Sequence, residues 1–437
     1  MSITLSAALA AGIFLLVFLL IALDRVDKTK AALAGAAAVL LLGLVGQQVA
    51  LGGGESGGGV DWNTIFLLLG MMIIVVIAGR TGVFGWLAVR AAQAVHGSPL
   101  GVLVLLALVT AVLSALLDNV TTVLAIAPVV LLLCERMRLD PIPFLIGVIL
   151  AANFGGAATL IGHPPNIMIG SATGFTFLDF LRVDAPIAAL CLLLYLIAVC
   201  VFMRRRWCVS PEDRRRIMAV DANESLTDRP LLRRCLVVFS LTLLGFLLQG
   251  QLGLPPATIA LAGAAALLLL DREDVEDVLR EVEWPTLLFF IGLFIMVGAL
   301  VNTGVISSLG RAVTAAAGGS VPHLTLGLLW FSGAACGIID QIPYAAAVIP
   351  MVQQINAGVT AGGAPASGEP LWWALSLGCG LGANLTLIAS ATNVVVADMA
   401  ARAGYRINFW RFLKYGAPVT IGSLLLSSLY LWARFLR

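Results

Sequence analysis

The chain has 437 residues, of which 60% are hydrophobic and 11% are charged, and its formal net charge is +2. Soluble domains are about half apolar and a quarter charged, so this composition excludes a water-soluble protein, and the small net charge does not indicate nucleic-acid binding. The sequence has no HExxH motif, nucleophile and base pair, or nucleotide-binding glycine loop. We therefore expect neither enzyme activity nor a bound cofactor.

Apolar runs of about 17 to 22 residues recur along the chain, and a helix of this length crosses a hydrocarbon core about 30 Å thick. These runs lack the alternation of barrel strands, so we predict an all-α polytopic membrane protein. The first run has no basic leader or clear cleavage site and is predicted to be retained. Ten full spans are predicted, near residues 3–23, 30–50, 62–80, 143–170, 185–203, 231–250, 255–271, 285–302, 371–400 and 414–435.

Two further pairs of apolar runs lie between the third and fourth spans and between the eighth and ninth. The pair at 100–134 is interrupted at Asp118, and the pair at 322–357 is interrupted at Asp340. Short halves interrupted at matching places predict two re-entrant hairpins, which reach the middle of the membrane and return. The alternative is four complete spans, which would leave every other orientation unchanged.

The distribution of Lys and Arg predicts the orientation of the chain. With the N-terminus outside, the inner loops hold 22 of the 26 basic residues. This excess predicts that the linker at 204–230 is cytoplasmic and that both termini are extracytoplasmic, in a multi-pass protein of the cell inner membrane. The arginines of this linker are Arg204, Arg205, Arg206, Arg214, Arg215 and Arg216, with Arg229 at its end.

The second half of the sequence repeats the first. A shift of 222 residues aligns 61–84 with 283–306 and also pairs Asp118 with Asp340, while a shift of 227 aligns TLIGHPPN with TLIASATN. Each half holds five spans and one hairpin, so the odd number of crossings turns the second half upside down. We therefore predict two inverted repeats separated by the linker, at 1–203, 204–230 and 231–437.

Two carboxylates at the predicted hairpin tips are the main candidates for chemistry. A charged side chain at the bilayer centre costs roughly 2.5 to 3.5 kcal/mol on insertion scales, so Asp118 and Asp340 need a reason to be there. One interpretation is that one or both bind the coupling proton or a cation such as Na⁺. The other is that each caps a hairpin helix through its side-chain oxygens. Both can hold together.

The predicted spans 143–170 and 371–400 carry glycine, proline and polar residues that predict unwound segments, where carbonyl groups and helix ends are free to coordinate an ion. His163 lies in the first break, either as a proton carrier, because imidazole titrates near neutral pH, or as a neutral helix-end histidine. The candidate binding residues of the tips and breaks are Asp118, Asn119, Thr121, Thr122, Asn153, Thr159, His163, Asn166, Asp340, Gln341, Asn384, Thr386, Ser390, Thr392 and Asn393.

The charge of these elements bears on the substrate. No Arg or Lys lies in the tips or breaks, and only His163 there can be cationic. A dianionic carboxylate normally meets a guanidinium or several helix N-termini, so this set favours a cation, a proton or a small neutral hydroxy species. The alternative is that these polar residues only form hydrogen bonds between helices. No metal-ligand set is predicted with certainty.

Three segments carry a specific resemblance, LLDNVTTVLAIAPV, NFGGAATLIGHPPNIMIG and GANLTLIASATNVVVADMA. Over residues 60–416 the chain resembles the branch of the ion transporter superfamily that groups arsenite-efflux permeases, NhaD-type sodium/proton antiporters and the melanosomal P protein. The resemblance implies an elevator-type transporter with a scaffold and a moving transport domain, a homodimer and, as in some arsenite pumps, a cytoplasmic ATPase partner. The binding positions it implies are Asp118, Asn119, Thr121, Thr122, Thr159, Asn166, Asp340, Thr386 and Asn393.

Two departures from the family pattern bear on the mechanism. The chain reads GHPPN around His163 where the family usually reads GDPPN, and Gln341 follows Asp340 where the family usually reads DNIP. The loss of a carboxylate at position 163 fits a proton-coupled or uncoupled mechanism better than a sodium site. We expect efflux of arsenite, antimonite or a similar small inorganic species in exchange for protons. The alternatives are a sodium/proton antiporter, a dicarboxylate or sulfate carrier and, from a different class, an ion channel.

Overall fold

The computed structural model describes residues 3–22, 25–52, 59–203, 218, 221–271, 274–361 and 369–437. The predicted linker arginines from Arg204 to Arg216 lie outside these residues. The first half contains α1 (Ile3–Ala22), α2 (Lys28–Leu41), α3 (Gln47–Leu51), α4 (Trp62–Arg80), α5 (Val83–Ala94), α6 (Pro99–Leu116), α7 (Asn119–Met137), α8 (Ile142–Ala157), α9 (Pro164–Thr173) and α10 (Phe177–Met203). The second half contains α11 (Arg229–Leu247), α12 (Gln249–Leu252), α13 (Pro256–Leu270), α14 (Val275–Glu281), α15 (Trp284–Asn302), α16 (Val305–Ala316), α17 (Val321–Ile338), α18 (Gln341–Ala361), α19 (Glu369–Gly382), α20 (Ala391–Arg402) and α21 (Phe409–Phe435).

The predicted all-α membrane architecture is confirmed. Within the described residues, eight helices are long and apolar enough to cross a membrane, namely α4, α6, α7, α10, α11, α15, α17 and α21. Three of these, α6, α7 and α17, belong to the predicted hairpins. By length and composition these three fit either a re-entrant pair or full crossings, so both interpretations of the hairpins remain compatible with the helix lengths.

Two features of the helices differ from the predicted spans. The predicted span 30–50 is divided into α2 and α3, because the chain turns at Gly43, which has a positive φ of 65°. The helices α5 and α16 fall in segments where no helix was predicted. Each is 12 residues long, too short to cross a bilayer, and each begins directly after a glycine in the left-handed conformation, Gly82 or Gly304.

The helices of the second half repeat those of the first in order, and four of the pairs also match in length. The pairs α4/α15, α5/α16 and α6/α17 have 19, 12 and 18 residues each. The helices α10 and α21 both have 27 residues and carry a proline at the same place, Pro186 and Pro418. The repeat seen in the sequence is therefore also a repeat of structure.

Contacts between helix ends show that the two repeats are inverted. Arg80, the last residue of α4, pairs with Glu281, which precedes α15, at 2.6 Å between Nη2 and Oε1. At the other end, the side-chain amide of Asn302, the last residue of α15, donates to the carbonyl oxygen of Leu44, which lies before α4 in the chain, at 2.8 Å. The end of α4 therefore meets the segment that leads into α15, and the end of α15 contacts the part of the chain that precedes α4, as is expected if the two helices run in opposite directions.

The two repeats exchange packing partners around α4 and α15. Helix α4 packs on α13 from the second half, and α15 packs on α2 from the first. A Cβ atom on Gly70 would lie 2.7 Å from the carbonyl carbon of Ala260, and one on Gly292 would lie 2.8 Å from that of Ala32. Because real Cβ atoms do not approach backbone this closely, glycine is required at both crossings.

Loops that were predicted to share one side of the membrane lie together. The backbone amide of Thr227, in the linker, donates to the carbonyl oxygen of Thr81 at 3.1 Å. Arg411 pairs with Asp140 at 2.6 Å, which joins two other predicted inner loops. These contacts agree with the relative placement of the loops, while the side that faces the cytoplasm stays a prediction.

Candidate functional site

Each half of the chain contains one helix that is interrupted in its middle. The first break, 158–163, separates α8 from α9, and the second, 383–390, separates α19 from α20. Both fall inside the spans that were predicted to be broken. Pro164 and Pro165 lie in the first turn of α9. Backbone amides in the first turn of a helix have no acceptor within the helix, so proline, which lacks an amide hydrogen, is tolerated there.

One asparagine from each half closes the break that precedes it. The side-chain amide of Asn166 donates to the carbonyl oxygen of Thr159 at 2.9 Å, and that of Asn393 donates to the carbonyl oxygen of Thr386 at 2.9 Å. Both asparagines are fully buried. These bonds give buried carbonyl groups of the unwound segments a partner that the interrupted helices do not supply.

A threonine from each break ties the unwound segment to the adjacent hairpin. The hydroxyl of Thr159 donates to the carbonyl oxygen of Ala115 at 2.5 Å, and the hydroxyl of Thr386 donates to that of Gly337 at 2.6 Å. The two acceptors are themselves related by the repeat, at the ends of α6 and α17. Each hairpin and its neighbouring broken helix are therefore joined by a matching hydrogen bond.

The two predicted hairpin tips begin the helices α7 and α18. The Asp118 carboxylate accepts from the backbone amide of Thr121 at 3.0 Å, and the Thr122 hydroxyl donates to the Asp118 carbonyl oxygen at 2.8 Å. The Asp340 carboxylate accepts from the backbone amide of Ile342 at 2.9 Å. Both acids therefore cap a helix, as one of the two interpretations expects, and their role in ion coupling stays a prediction.

The two tips meet at one cavity of about 120 Å³, which we call the tip cavity. Five of the predicted residues line it, namely Asp118, Asn119, Asp340, Gln341 and Ser390. The other lining residues are Lys28, Leu68, Met72, Val120, Pro164, Glu283, Thr286, Ile342, Ala391 and Val395. The hairpins and both broken helices thus converge on a single place, as the inverted repeats predict.

Three polar lining residues of the tip cavity were missed by sequence reasoning. Lys28 and Glu283 come from the starts of α2 and α15, and Thr286 follows in the first turn of α15. The internal repeat could have pointed to Glu283, because the aligned segments pair it with another acidic residue, Asp61. The described lining therefore includes three carboxylates and one ammonium group.

Several buried polar atoms at and around the site have no hydrogen-bond partner among the described residues. Buried polar groups in proteins are almost always bonded, so unpaired ones mark capacity to bind a ligand or water. In the tip cavity these atoms belong to Asn119 and Gln341. In and near the breaks they are the side-chain Oδ1 of Asn153, Nε2 of His163, Nδ2 of Asn384 and Oγ1 of Thr392.

His163 caps the start of α9. Its Nδ1 atom accepts from the backbone amide of Asn166 at 3.4 Å, so a neutral ring carries its hydrogen on Nε2. The ring is buried and does not line the tip cavity, whereas its repeat counterpart, Ser390, does. This arrangement is that of a helix-end histidine, and a proton-carrier role stays a prediction.

Three asparagines meet around the break before α20, and we call them the second asparagine cluster: Asn153, Asn384 and Asn393. The side-chain amide of Asn153 donates to Oδ1 of Asn384 at 3.0 Å and to Oδ1 of Asn393 at 3.1 Å. Asn153 comes from the first repeat and the other two come from the second. The cluster therefore links α8 to the break before α20 through neutral amides.

A corresponding group surrounds Asn166, and we call it the first asparagine cluster, formed by Asn166, Ser376 and Asp184. The Ser376 hydroxyl lies 2.6 Å from Oδ1 of Asn166 and 2.5 Å from Oδ2 of Asp184. All three residues are fully buried. Sequence reasoning missed Ser376 and Asp184, because neither has a polar counterpart in the other repeat and Asp184 stands just before a predicted span.

Two larger cavities share repeat-related lining residues, and we call them vestibules A and B. Vestibule A, of about 530 Å³, is lined by Asp61, Phe294 and Val297 among others. Vestibule B, of about 390 Å³, is lined by Glu281, Met72 and Val75 among others. Phe294 and Val297 are the repeat counterparts of Met72 and Val75, so the inverted repeat relates the two vestibules.

Known proteins with similar sequences include one named a transporter and one named a membrane protein. The chain is 44% identical over 429 residues to a Mycobacterium tuberculosis protein named uncharacterized transporter Rv2684, with 98% of this chain and 99% of that protein covered. It is 43% identical over 430 residues to the 46 kDa membrane protein of Mycobacterium leprae. It is 32% identical over 508 residues to the human P protein, covering 98% of this chain and 59% of the P protein.

The fold is also that of a solved transporter. The Alcanivorax borkumensis YdaH transporter, whose structure is described as having an unusual topology, superposes with a TM-score of 0.58 at 15% identity and 98% coverage of both chains. The predicted relation to the branch that includes the P protein is confirmed. Residues 18–378 match the family described as citrate transporter, CitMHS. The chain is therefore a membrane transporter that belongs to the citrate transporter family.

Proposed function

We propose that the chain exchanges protons for a small hydroxylated inorganic species, with arsenite or antimonite as the leading substrate. The observation that carries this proposal is the tip cavity. It brings the carboxylates of Asp118 and Asp340 together with the neutral polar groups of Asn119, Gln341 and Ser390. A neutral hydroxy species can donate to the carboxylates and accept from the amides, and needs no guanidinium.

The size of the tip cavity favours a small substrate. Pockets for drug-sized ligands usually have volumes of about 300 to 1,000 Å³, and the tip cavity has about 120 Å³. A species of a few heavy atoms fits this space. The unpaired amide and carbonyl groups of Asn119 and Gln341 would then be its direct partners.

The carboxylates supply a means of coupling. An ionised carboxylate accepts hydrogen bonds from the substrate through its oxygens. When a proton binds to one of these oxygens, that oxygen becomes a donor and no longer serves the substrate in the same way, so proton binding and substrate binding compete. Competition for one site is sufficient for exchange, because the site changes the side of the membrane that it faces while it holds either the proton or the substrate, but not both. Asp118 and Asp340 are the residues to which we assign this role.

Vestibules A and B support an elevator mechanism. They have repeat-related residues in their linings. Both adjoin α4, vestibule A also adjoins α15, and vestibule B reaches Glu283 just before α15; α4 and α15 are the helices we assign to the scaffold. A transport domain formed by the hairpins and broken helices would then open the tip cavity to one vestibule at a time. The alternating-access test uses Met72→Cys and Phe294→Cys with a membrane-impermeant thiol reagent, added to either side.

We expect these two cysteines to react from opposite sides, and an imposed proton gradient to change their labelling in opposite directions. The wild-type chain, which contains native cysteines, gives the background labelling. Labelling of both positions from the same side would contradict the proposed movement.

The transport assay uses everted membrane vesicles that carry the chain, with uptake of arsenite, citrate or sodium measured under an imposed pH gradient. Asp118→Asn and Asp340→Asn should each lower proton-driven arsenite uptake by at least about tenfold, which corresponds to about 1.4 kcal/mol. Asp398→Asn is the matched control, because Asp398 is exposed and pairs with Arg402 at 2.8 Å on the surface of α20. Wild-type rates in both site variants would contradict the role of the carboxylates.

A carboxylate carrier is the second candidate, and two observations favour it. The family is described as citrate transporter, and Lys28 supplies an ammonium group to the tip cavity. Uptake of citrate without uptake of arsenite would replace the leading proposal with this one. Uptake of sodium alone would indicate the sodium/proton antiporter instead.

A further inference from the structure

The first asparagine cluster contains a buried carboxyl group that pairs with no cation in the described part of the chain. Asp184, in α10, has none of its surface exposed, and its Oδ2 lies 2.5 Å from the Ser376 hydroxyl. Its Oδ1 is buried without a hydrogen-bond partner among the described residues. An isolated carboxylate is costly to bury, so the chemistry of this group needs an explanation.

The hydrogen atoms of the cluster can be assigned from its geometry. The side-chain amide of Asn166 donates to the carbonyl oxygens of Thr159 at 2.9 Å and Ala157 at 3.3 Å, which fixes Oδ1 as the atom facing Ser376. That oxygen can only accept. The Ser376 hydroxyl has one hydrogen, and Oδ1 of Asn166 lies 2.6 Å away, so this hydrogen is donated to Asn166.

The short contact between Ser376 and Asp184 then requires a second hydrogen. Because the Ser376 hydrogen is already donated, the hydrogen between the two residues has to come from the carboxyl group. We propose that Asp184 is a proton-binding site of the transporter, and that its bound proton holds Ser376 and Asn166 in the arrangement that closes the first unwound segment. This inference rests on the proposed proton coupling and adds a site that is separate from the tip cavity.

The helices packed against α10 present no described cation to the carboxyl. Helices α6 and α8 contain no titratable side chain. From α21, Tyr430 donates to the carbonyl oxygen of Val183 at 2.8 Å, and Arg434 donates to that of Arg182 at 3.0 Å, so both bond to backbone instead.

The remaining charged groups lie farther away or are otherwise engaged. The α19 carboxylate, Glu369, accepts from the indole of Trp373 at 3.0 Å, and the other titratable group of α19 is the Cys379 thiol. The arginines of α11 are in its first two turns, whereas its last turn, at Phe246, contacts Phe177 at the start of α10. Arg182, on α10 itself, is exposed.

Loss of the proton would rearrange the cluster. A carboxylate at Asp184 can only accept, so the single Ser376 hydrogen would turn toward it and Oδ1 of Asn166 would lose its donor. Asn166 is the side chain that closes the break before α9. The protonation of Asp184 is therefore linked to the shape of the first unwound segment, with the proton exchanged with solvent.

The test measures protonation directly by infrared difference spectroscopy of the purified full-length chain in lipid nanodiscs at neutral pH. Asp184→Asn should remove a carbonyl-stretch band of a protonated carboxylic acid. Asp179→Asn is the matched control, because Asp179 lies five residues before Asp184 on α10 and accepts from the backbone amide of Thr176 at 2.8 Å as an ordinary helix-start carboxylate. The control should leave the band in place, and a wild-type band that survives in Asp184→Asn overturns the proposal.

A second variant keeps the test decisive if Asp184→Asn fails to fold. Ser376→Ala removes the acceptor of the proposed Asp184 hydrogen bond, so the carboxylic-acid band should shift to higher frequency, and an unchanged band overturns the proposal. In vesicles, Asp184→Asn should flatten the pH profile of uptake, while Asp179→Asn should keep it. Failure of arsenite uptake with the band present would contradict the proposed substrate and leave the proton site intact, so the two failures are distinguishable.

Discussion

The two asparagine clusters perform the same structural task with different chemistry. Asn166 and Asn393 each close an unwound segment through their side-chain amide, and each presents Oδ1 to a donor from the other repeat. For Asn393 that donor is the neutral amide of Asn153, whereas for Asn166 it is a serine that contacts the Asp184 carboxyl. The comparison teaches that inverted repeats can keep one geometry while only one of them acquires a group that titrates.

The difference arises at positions where the repeat is broken in sequence. The counterpart of Asp184 in α21 is Gly416, which packs against the backbone carbonyl of Asn384 with no room for a side chain. The counterpart of Ser376 is Ile149, and that of Asn153 is Gly380. The first cluster therefore has a carboxyl and a hydroxyl without counterparts in the second, and the second has an amide without a counterpart in the first.

The largest expected effect comes from removing the asparagine side chain that closes the unwound segment in each cluster. Asn166→Ala and Asn393→Ala each remove bonds to two backbone carbonyl oxygens of a buried segment and should each lower the free energy of unfolding by about 3 kcal/mol. The measurement is thermal unfolding of the purified chain. A loss below about 1 kcal/mol in either variant would show that the unwound segments are not closed by these side chains.

A smaller effect should separate the clusters through pH. If the folded state keeps a proton on Asp184 that the unfolded chain releases at neutral pH, the folded state binds more protons, so stability falls as the pH rises. We expect the wild-type chain to lose roughly 1 to 3 kcal/mol of unfolding free energy as the pH rises to alkaline values, because the buried carboxyl must ionise and the Ser376 hydrogen then turns away from Asn166. Asp184→Asn should remove most of this dependence, and Asn153→Ala should keep it. Equal pH dependence in all three would contradict the distinction.

The smallest effect tests the equivalence of the two repeats. Thr159→Val and Thr386→Val keep the side-chain volume and each remove one hydroxyl bond to a hairpin carbonyl oxygen, at Ala115 and Gly337. Each should lower the free energy of unfolding by about 1 to 2 kcal/mol, because one buried acceptor loses its partner. Chemical denaturation checks this, and values that differ by more than about 1 kcal/mol would show that the hairpins are attached unequally.

The site residues that could be predicted from the sequence are mainly those that occur at matching positions in both repeats. The offset of 222 residues paired Asp118 with Asp340, and the structure places both at one cavity. Asn166 and Asn393 were likewise paired before the structure showed them in matching roles. Local pattern was also sufficient for the breaks, because glycine and the Pro164-Pro165 pair are poorly compatible with a continuous helix.

The features that sequence reasoning missed depend on long-range contacts or on short elements. Asp184 and Ser376 are 192 residues apart in the chain and have no polar counterparts, so neither spacing nor repeat pointed to their contact. Lys28 was assigned to a loop, yet the fold brings it to the tip cavity. The helices α5 and α16 are too short to give an apolar run of membrane length.

The exchange of scaffold helices between the two halves has a consequence for ancestry. Helix α4 has its close partner, α13, in the second half, and α15 has its own, α2, in the first, with Gly70 and Gly292 at the crossings. A half-length chain would therefore leave both crossing faces uncovered. Two such chains inserted into the bilayer in opposite senses would cover each other, so a dual-topology ancestor that later fused through a linker fits this architecture.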